Sequence, residues 1–126
     1  MAKYDVRVEV QPEYLPDQSA PEQELYTFAY TITITNTGDV PAQLISRHWL
    51  ITDAGGTTEE VKGLGVVGQQ PLLKPGESFQ YTSGCRLRTA SGTMRGSYFF
   101  VAEDGERFDV AIQPFDLVEP SSRVLH

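Results

Sequence analysis

At 126 residues, with 40% hydrophobic side chains and 11 glycines, the chain has the size and composition of one ordinary globular domain, which excludes disordered, collagen-like and simple repeat architectures. Its 17 acidic and 10 basic residues leave a net charge of -7. That argues against a general nucleic-acid binder, whose affinity comes from cations that neutralise phosphates.

The dominant signal along the chain is an alternation of period two. Tyr4, Val6, Val8 and Val10 alternate with Asp5, Arg7 and Glu9, which predicts a strand with one solvated face. Residues 11–24 hold Pro12, Pro16 and Pro21 without alternation and read as a loop. Over 25–35, Tyr26, Phe28, Tyr30, Ile32 and Ile34 share one face of a long half-buried strand, ended by Asn36, Thr37, Gly38 and Asp39. A second strand starts near Ala42, with Ile45, Arg47, Trp49 and Ile51 on one face, and closes at residues 53–56. The two strands read as an antiparallel hairpin.

Further strands are expected over 78–83, 96–102 and 107–113, separated by turns at 74–77, 90–92 and 103–106. Asp104-Gly105 in the last of these is the sequence of a tight two-residue hairpin loop, because it supplies positive φ. No window of ten or more residues shows a 3.6-residue period, and 8 prolines with 11 glycines interrupt most of them. Residues 120–126 read as a frayed tail. The expected architecture is therefore all-β: a single domain over 1–126, a sandwich of two antiparallel sheets with about seven to eight strands and little or no helix.

Gly63-Leu64-Gly65-Val66-Val67-Gly68 satisfies the pattern G-x-G-x-x-G. A dinucleotide fingerprint works because its glycines lead into a helix whose free amides hold a pyrophosphate. Here Pro71 and then Pro75-Gly76 bar a helix, so the stretch reads as an irregular loop allowing close backbone approach, with anion capture by backbone amides as its functional alternative. Residues 78–102 contain no acid but do contain Arg86, Arg88 and Arg95; Arg86 and Arg88 would share one face of an extended segment. With Lys62 and the glycine loop they could form an anion site, or else pair with surface carboxylates.

No catalytic set is expected. The two histidines are His48, inside a strand, and His126, the last residue; no nucleophile elbow or paired Cys/His signature accompanies them. His48, Cys85 and His126 lack the spacing of a structural zinc site, and Glu59-Glu60 and Glu103-Asp104 sit beside turns where solvated carboxylates are routine. No cofactor and no metal are expected. The single cysteine, Cys85, excludes an internal disulfide and suits a reducing, cytoplasmic compartment. No apolar run approaches the ~20 residues of a membrane helix. Phe99 and Phe100 are adjacent, so an exposed member of the pair would point to a partner surface or a homodimer.

The order of Arg47-His48-Trp49 with Ile51 and Asp53, Val61 to Gly68, Pro71-Leu72, Phe79 with Tyr81, Ser83-Gly84, Gly92-Thr93-Met94, Gly96-Ser97-Tyr98, Phe108-Asp109-Val110 and Pro114-Phe115 resembles the ApaG family over nearly the whole chain. The resemblance implies a fibronectin type III-like or immunoglobulin-like sandwich. It also implies an association with cobalt and magnesium resistance or efflux, and gene neighbourhood with a diadenosine tetraphosphate hydrolase. Similar domains in eukaryotic F-box proteins and in a polymerase-δ-interacting protein imply protein-protein interaction, and the glycine motif has suggested nucleotide or pyrophosphate binding in the family. Together these readings give a cytoplasmic, non-enzymatic module that binds an unidentified protein. The rival is a sensor of a phosphate-containing small molecule using Gly63, Gly65, Gly68, Arg86 and Arg88.

Overall fold

Among the described residues the chain forms eight strands: β1 (Val6–Tyr14), β2 (Tyr26–Asn36), β3 (Ala42–Asp53), β4 (Thr58–Leu64), β5 (Leu72–Leu73), β6 (Ser78–Leu87), β7 (Ser91–Ala102) and β8 (Arg107–Val118). The structure is a computed structural model and describes residues 3–123. One sheet has the order β1-β2-β6; the other has the order β4-β3-β7-β8, with β5 also pairing β3. All pairings are antiparallel. The result is the expected two-sheet sandwich.

Between the sheets, Phe28, Tyr30, Ile32 and Ile34 of β2 face Leu44 and Trp49 of β3, Met94, Tyr98 and Phe100 of β7, and Ile112 and Leu117 of β8, all buried. Trp49 meets Tyr98 and Phe115 edge-on at interplanar angles of 82° and 88°, and Tyr30 at 63°. Such edge-to-face pairs contribute about 0.5–1.5 kcal/mol each beyond the area they bury. The aromatic alternation read along β2, β3 and β7 is therefore the core itself.

The hairpin expected between β2 and β3 does not form, since the two strands lie in different sheets. The reason is Asn36, 2% exposed. Its amide donates to the carbonyls of Val40 and Leu73, both at 2.9 Å, and its Oδ1 accepts from the Gly38 amide. Thr37 and Asp39 donate their amides to Asp5 and Lys3. A turn so tied to both layers carries the chain across the sandwich instead of folding it back.

Three other expectations change. Residues 11–14 continue β1 instead of beginning a loop, and Pro12 is tolerated because β1 is an edge strand. The rest of 11–24 is built from two short 3-10 turns, Pro16–Gln18 and Pro21–Gln23. The connection at 103–106 is a hairpin, but four residues long with only Gly105 at positive φ. Asp104 instead accepts the Tyr4 hydroxyl at 2.5 Å and pairs with Lys3. At the far end, Pro120–Arg123 is a 3-10 turn, and the remainder of the expected tail lies outside the described residues.

Candidate functional site

β4 was not foreseen as a strand, and it rebuilds the glycine motif. Gly63 and Leu64 close β4 against Arg47 and Ser46 of β3. Beyond them, Val66 and Gln69 exchange both backbone bonds, at 2.8 and 2.9 Å, around Val67 (φ 44) and Gly68 (φ 80). Two consecutive positive φ angles between such a pair make a type I′ turn. Gly65 (φ 64) precedes it, with its amide donated to Ile45 at 2.8 Å. The amides of Gly65, Val66 and Gln69 are therefore spent inside the fold.

Arg47 locks this turn. It alternates inward with Trp49, and its Nη1 donates to the carbonyls of Leu64 at 3.1 Å and Gly65 at 2.9 Å. A Cβ on Gly63 would sit 2.8 Å from the same guanidinium. The motif thus presents carbonyl oxygens to a cation, the reverse of the amide cradle an anion needs. Alternation along the strand already sets Arg47 on one face with Trp49 and Ile51, but the carbonyls it holds belong to a segment 17 and 18 residues further along the chain.

The locked turn exposes apolar surface. Leu64 is 74% exposed, Val67 53% and Leu72 55%. Valine at φ 44 is costly, because a β-branched side chain crowds the backbone in the left-handed region by about 1–3 kcal/mol. Leu64 also borders a hollow of about 520 Å³ on the outer face of the larger sheet, shared with His48, Lys62, Gly63, Phe99 and Asp109. Phe100 is fully buried while Phe99 lines this hollow half-buried, so the adjacent pair splits between core and surface.

A second cleft, about 600 Å³, opens between the edges of β4 and β6, with Trp49, Tyr30 and Val61 in its wall and Arg47, Glu59, Ser83, Cys85 and Arg86 around them. Arg86 and Arg88 are exposed and both border a smaller hollow of about 190 Å³, with Asp53 and Glu59. Gly63 borders the outer hollow, so the glycine loop and the two arginines open into different depressions. Among the described residues no carboxylate lies within ion-pair distance of Arg86, Arg88 or Arg95.

Protonation in the cleft is set by burial. Desolvation pushes the Cys85 thiol up to about 11, with Glu59 adding to the effect, so it is a protonated and weak nucleophile at neutral pH. On the outer face, His48 Nε2 and Glu60 lie 2.6 Å apart. That hydrogen bond, with the Lys62 charge behind it, holds the Glu60 carboxyl below its usual range. Ser97 stands opposite His48 in the sheet register, and the imidazole is bonded to Glu60. Among the described residues no three His, Cys, Asp or Glu side chains gather as a metal site would require, and no helix is long and apolar enough to cross a membrane.

Beneath the cleft, the buried hydroxyls of Tyr81 and Tyr98 bond at 2.5 Å. Burial pushes Tyr81 up to about 12 and Tyr98 further still. The folded chain keeps protons that an unfolded tyrosine releases near 10. The contribution is complete below about pH 10 and is lost as pH rises through about 12. Tyrosinate absorbance is expected to develop for these two residues only together with unfolding. Tyr98→Phe strands the Tyr81 hydroxyl and should cost about 1–3 kcal/mol in urea melts, whereas adding Tyr81→Phe should cost less than the sum of the singles.

Comparison with known proteins places this geometry among close relatives. Residues 16–102 match the family model described as the ApaG domain. The chain is 76% identical over 115 residues to Protein ApaG from Acidovorax sp. (strain JS42), covering 91% of this chain and 84% of the relative. It is 60% identical to Protein ApaG from Ralstonia nicotianae over the full length of both. The crystal structure of the ApaA protein from Bordetella pertussis superposes with a TM-score of 0.93 at 60% identity, covering 94% of this chain and 97% of that one.

Proposed function

The chain belongs to the ApaG family, and from that premise we propose that it is a non-enzymatic module that binds another protein through the apolar rim at 64–72. The observation carrying this reading is Val67, an exposed valine held at positive φ between exposed Leu64 and Leu72. Glycine or asparagine would make the same turn at lower cost, so the fold alone gives no reason for a valine there. Large aliphatic side chains raised on a rigid turn suit the centre of a protein interface, where buried apolar anchors dominate the energy.

The test separates stability from binding. Val67→Asn should raise stability by about 1 kcal/mol in urea melts while weakening capture of a partner from native bacterial lysate by the immobilised full chain. Leu64→Asp should abolish capture with the melt unchanged. Capture unaffected by both, or nucleotide turnover whose rate depends on Arg47, would overturn the reading. The phosphate-sensor alternative draws on one observation, the absence of carboxylate partners for Arg86, Arg88 and Arg95 among the described residues. Calorimetry with inorganic pyrophosphate tests it: heat lost in Arg86→Gln supports it, and no heat at millimolar ligand removes it.

A further inference from the structure

Sheet edges are hazards that folded proteins blunt with prolines, bulges, charges or shortness. Three strands of this sandwich carry such devices at their free edges. β1 holds Pro12 and the charges of Arg7, Glu9 and Glu13, β8 holds Pro114 at a register irregularity opposite Met94 and Gly96, and β4 is short and bears Glu59, Glu60 and Lys62. β6 is different. It runs from Ser78 to Leu87 with no proline and no acid, its register against β2 is unbroken, and among the described residues no strand pairs its other side. One row of its N–H and C=O groups therefore faces away from β2, as in any antiparallel edge strand.

That edge lies beside the cleft walled by Trp49, Tyr30 and Val61. At the cleft the inward residues of β6 are Ser83 and Cys85, small enough to leave it open, while Gly84 and Arg86 alternate with them and Arg86 reaches its rim. Arg86 has no carboxylate partner among the described residues, and Arg88 follows it on the same side. The edge thus offers backbone pairing, a hollow floored by Trp49, Tyr30 and Val61, and at its rim guanidinium charge without a carboxylate partner among the described residues.

We propose that β6 takes up an extended segment of a partner protein as an added antiparallel strand, its apolar residues entering the cleft over Trp49 and its alternate, acidic residues meeting Arg86 and Arg88. Main-chain bonds would supply affinity and the alternating side chains specificity, as in other strand additions. Glu59 on the far wall favours apolar over acidic side chains facing inward. This surface is separate from the rim at 64–72. Because binding is scored at β6 amides with a defined peptide, this proposal and the rim reading fail independently.

The probe is a fluorescein-labelled peptide alternating valine with glutamate, compared with a version carrying lysine for glutamate and one with alternate amides N-methylated, each added to the full chain. The glutamate peptide should bind and the N-methylated one should not. Hydrogen exchange should slow at the outward amides of 78–87. Arg86→Glu should weaken the glutamate peptide by about fivefold or more and favour the lysine peptide. Equal binding of the N-methylated peptide, indifference to the charge of residue 86, protection outside β6, or no binding at millimolar peptide would each overturn the proposal. Protection at β6 that rises with protein concentration alone would assign the edge to a second copy of the chain, and overturn it likewise.

Discussion

Gly65→Ala is expected to cost about 3 kcal/mol or more, whereas Gly68→Ala, three residues on in the same motif, should cost about 1 kcal/mol. Both glycines have positive φ, so both substitutions carry the left-handed penalty. Only at Gly65 does a Cβ meet backbone, lying 2.2 Å from the Gln69 carbonyl oxygen; at Gly68 it would meet nothing within 4 Å. The clash cannot be relieved by a side-chain rotation, because the Gln69 carbonyl is bonded to Val66 in the turn. Urea midpoints for the two variants check this, and equal losses at both positions would contradict it. A motif kept for phosphate contact would instead show its largest effect on ligand affinity.

Arg47→Ala should be the second large loss, about 2–3 kcal/mol, because it takes a charged donor from the part-buried Gly65 carbonyl as well as from the more exposed Leu64 carbonyl. Arg47→Met keeps most of the apolar stem and should lose nearly as much, which would place the effect in the bonds and not the packing. Hydrogen exchange provides the second readout. The amides of Val66 and Gln69 should exchange faster in both variants, while those of β2 and β7 keep their protection. If Arg47→Met were close to neutral, the guanidinium would be a bystander and the rim at 64–72 would be held by the turn alone.

How much of this was legible in the sequence follows from the range of each interaction. β2, β3, β7 and β8 were readable because Phe28, Tyr30, Trp49, Tyr98 and Ile112 repeat at the strand period, and burial on one face is a local pattern. β4 was not, because an edge strand written Thr-Glu-Glu-Val-Lys-Gly-Leu turns Glu59, Val61 and Gly63 toward the other sheet, with one large apolar side chain among them. The corner after β2 was misread because Asn-Thr-Gly-Asp is equally good turn chemistry for a hairpin. What decides it is the bond from Asn36 to Leu73, a residue far along the chain. At the candidate site, Gly63, Gly65 and Gly68 were visible, but the cation that Gly63 makes room for lies on another strand, and the strain at Val67 exists only in three dimensions. The proximity of Arg86 to Arg88 was foreseen, and its separation from the glycine loop was beyond any one-dimensional pattern.

The crossing at Asn36 also orders the birth of the protein. Emerging from the ribosome, β1 and β2 can pair with each other at once, but β2 cannot turn to the strand made next, since β3 belongs to the opposite layer. Its second backbone edge must wait for β6, and the face bearing Tyr30, Ile32 and Ile34 must wait for the other sheet, with β3, β4 and β5 translated before β6. Through that interval the nascent β1-β2 pair presents one open edge and an uncovered aromatic-rich face. It is then, before the sandwich closes, that the chain is most open to wrong partners and most in need of shielding.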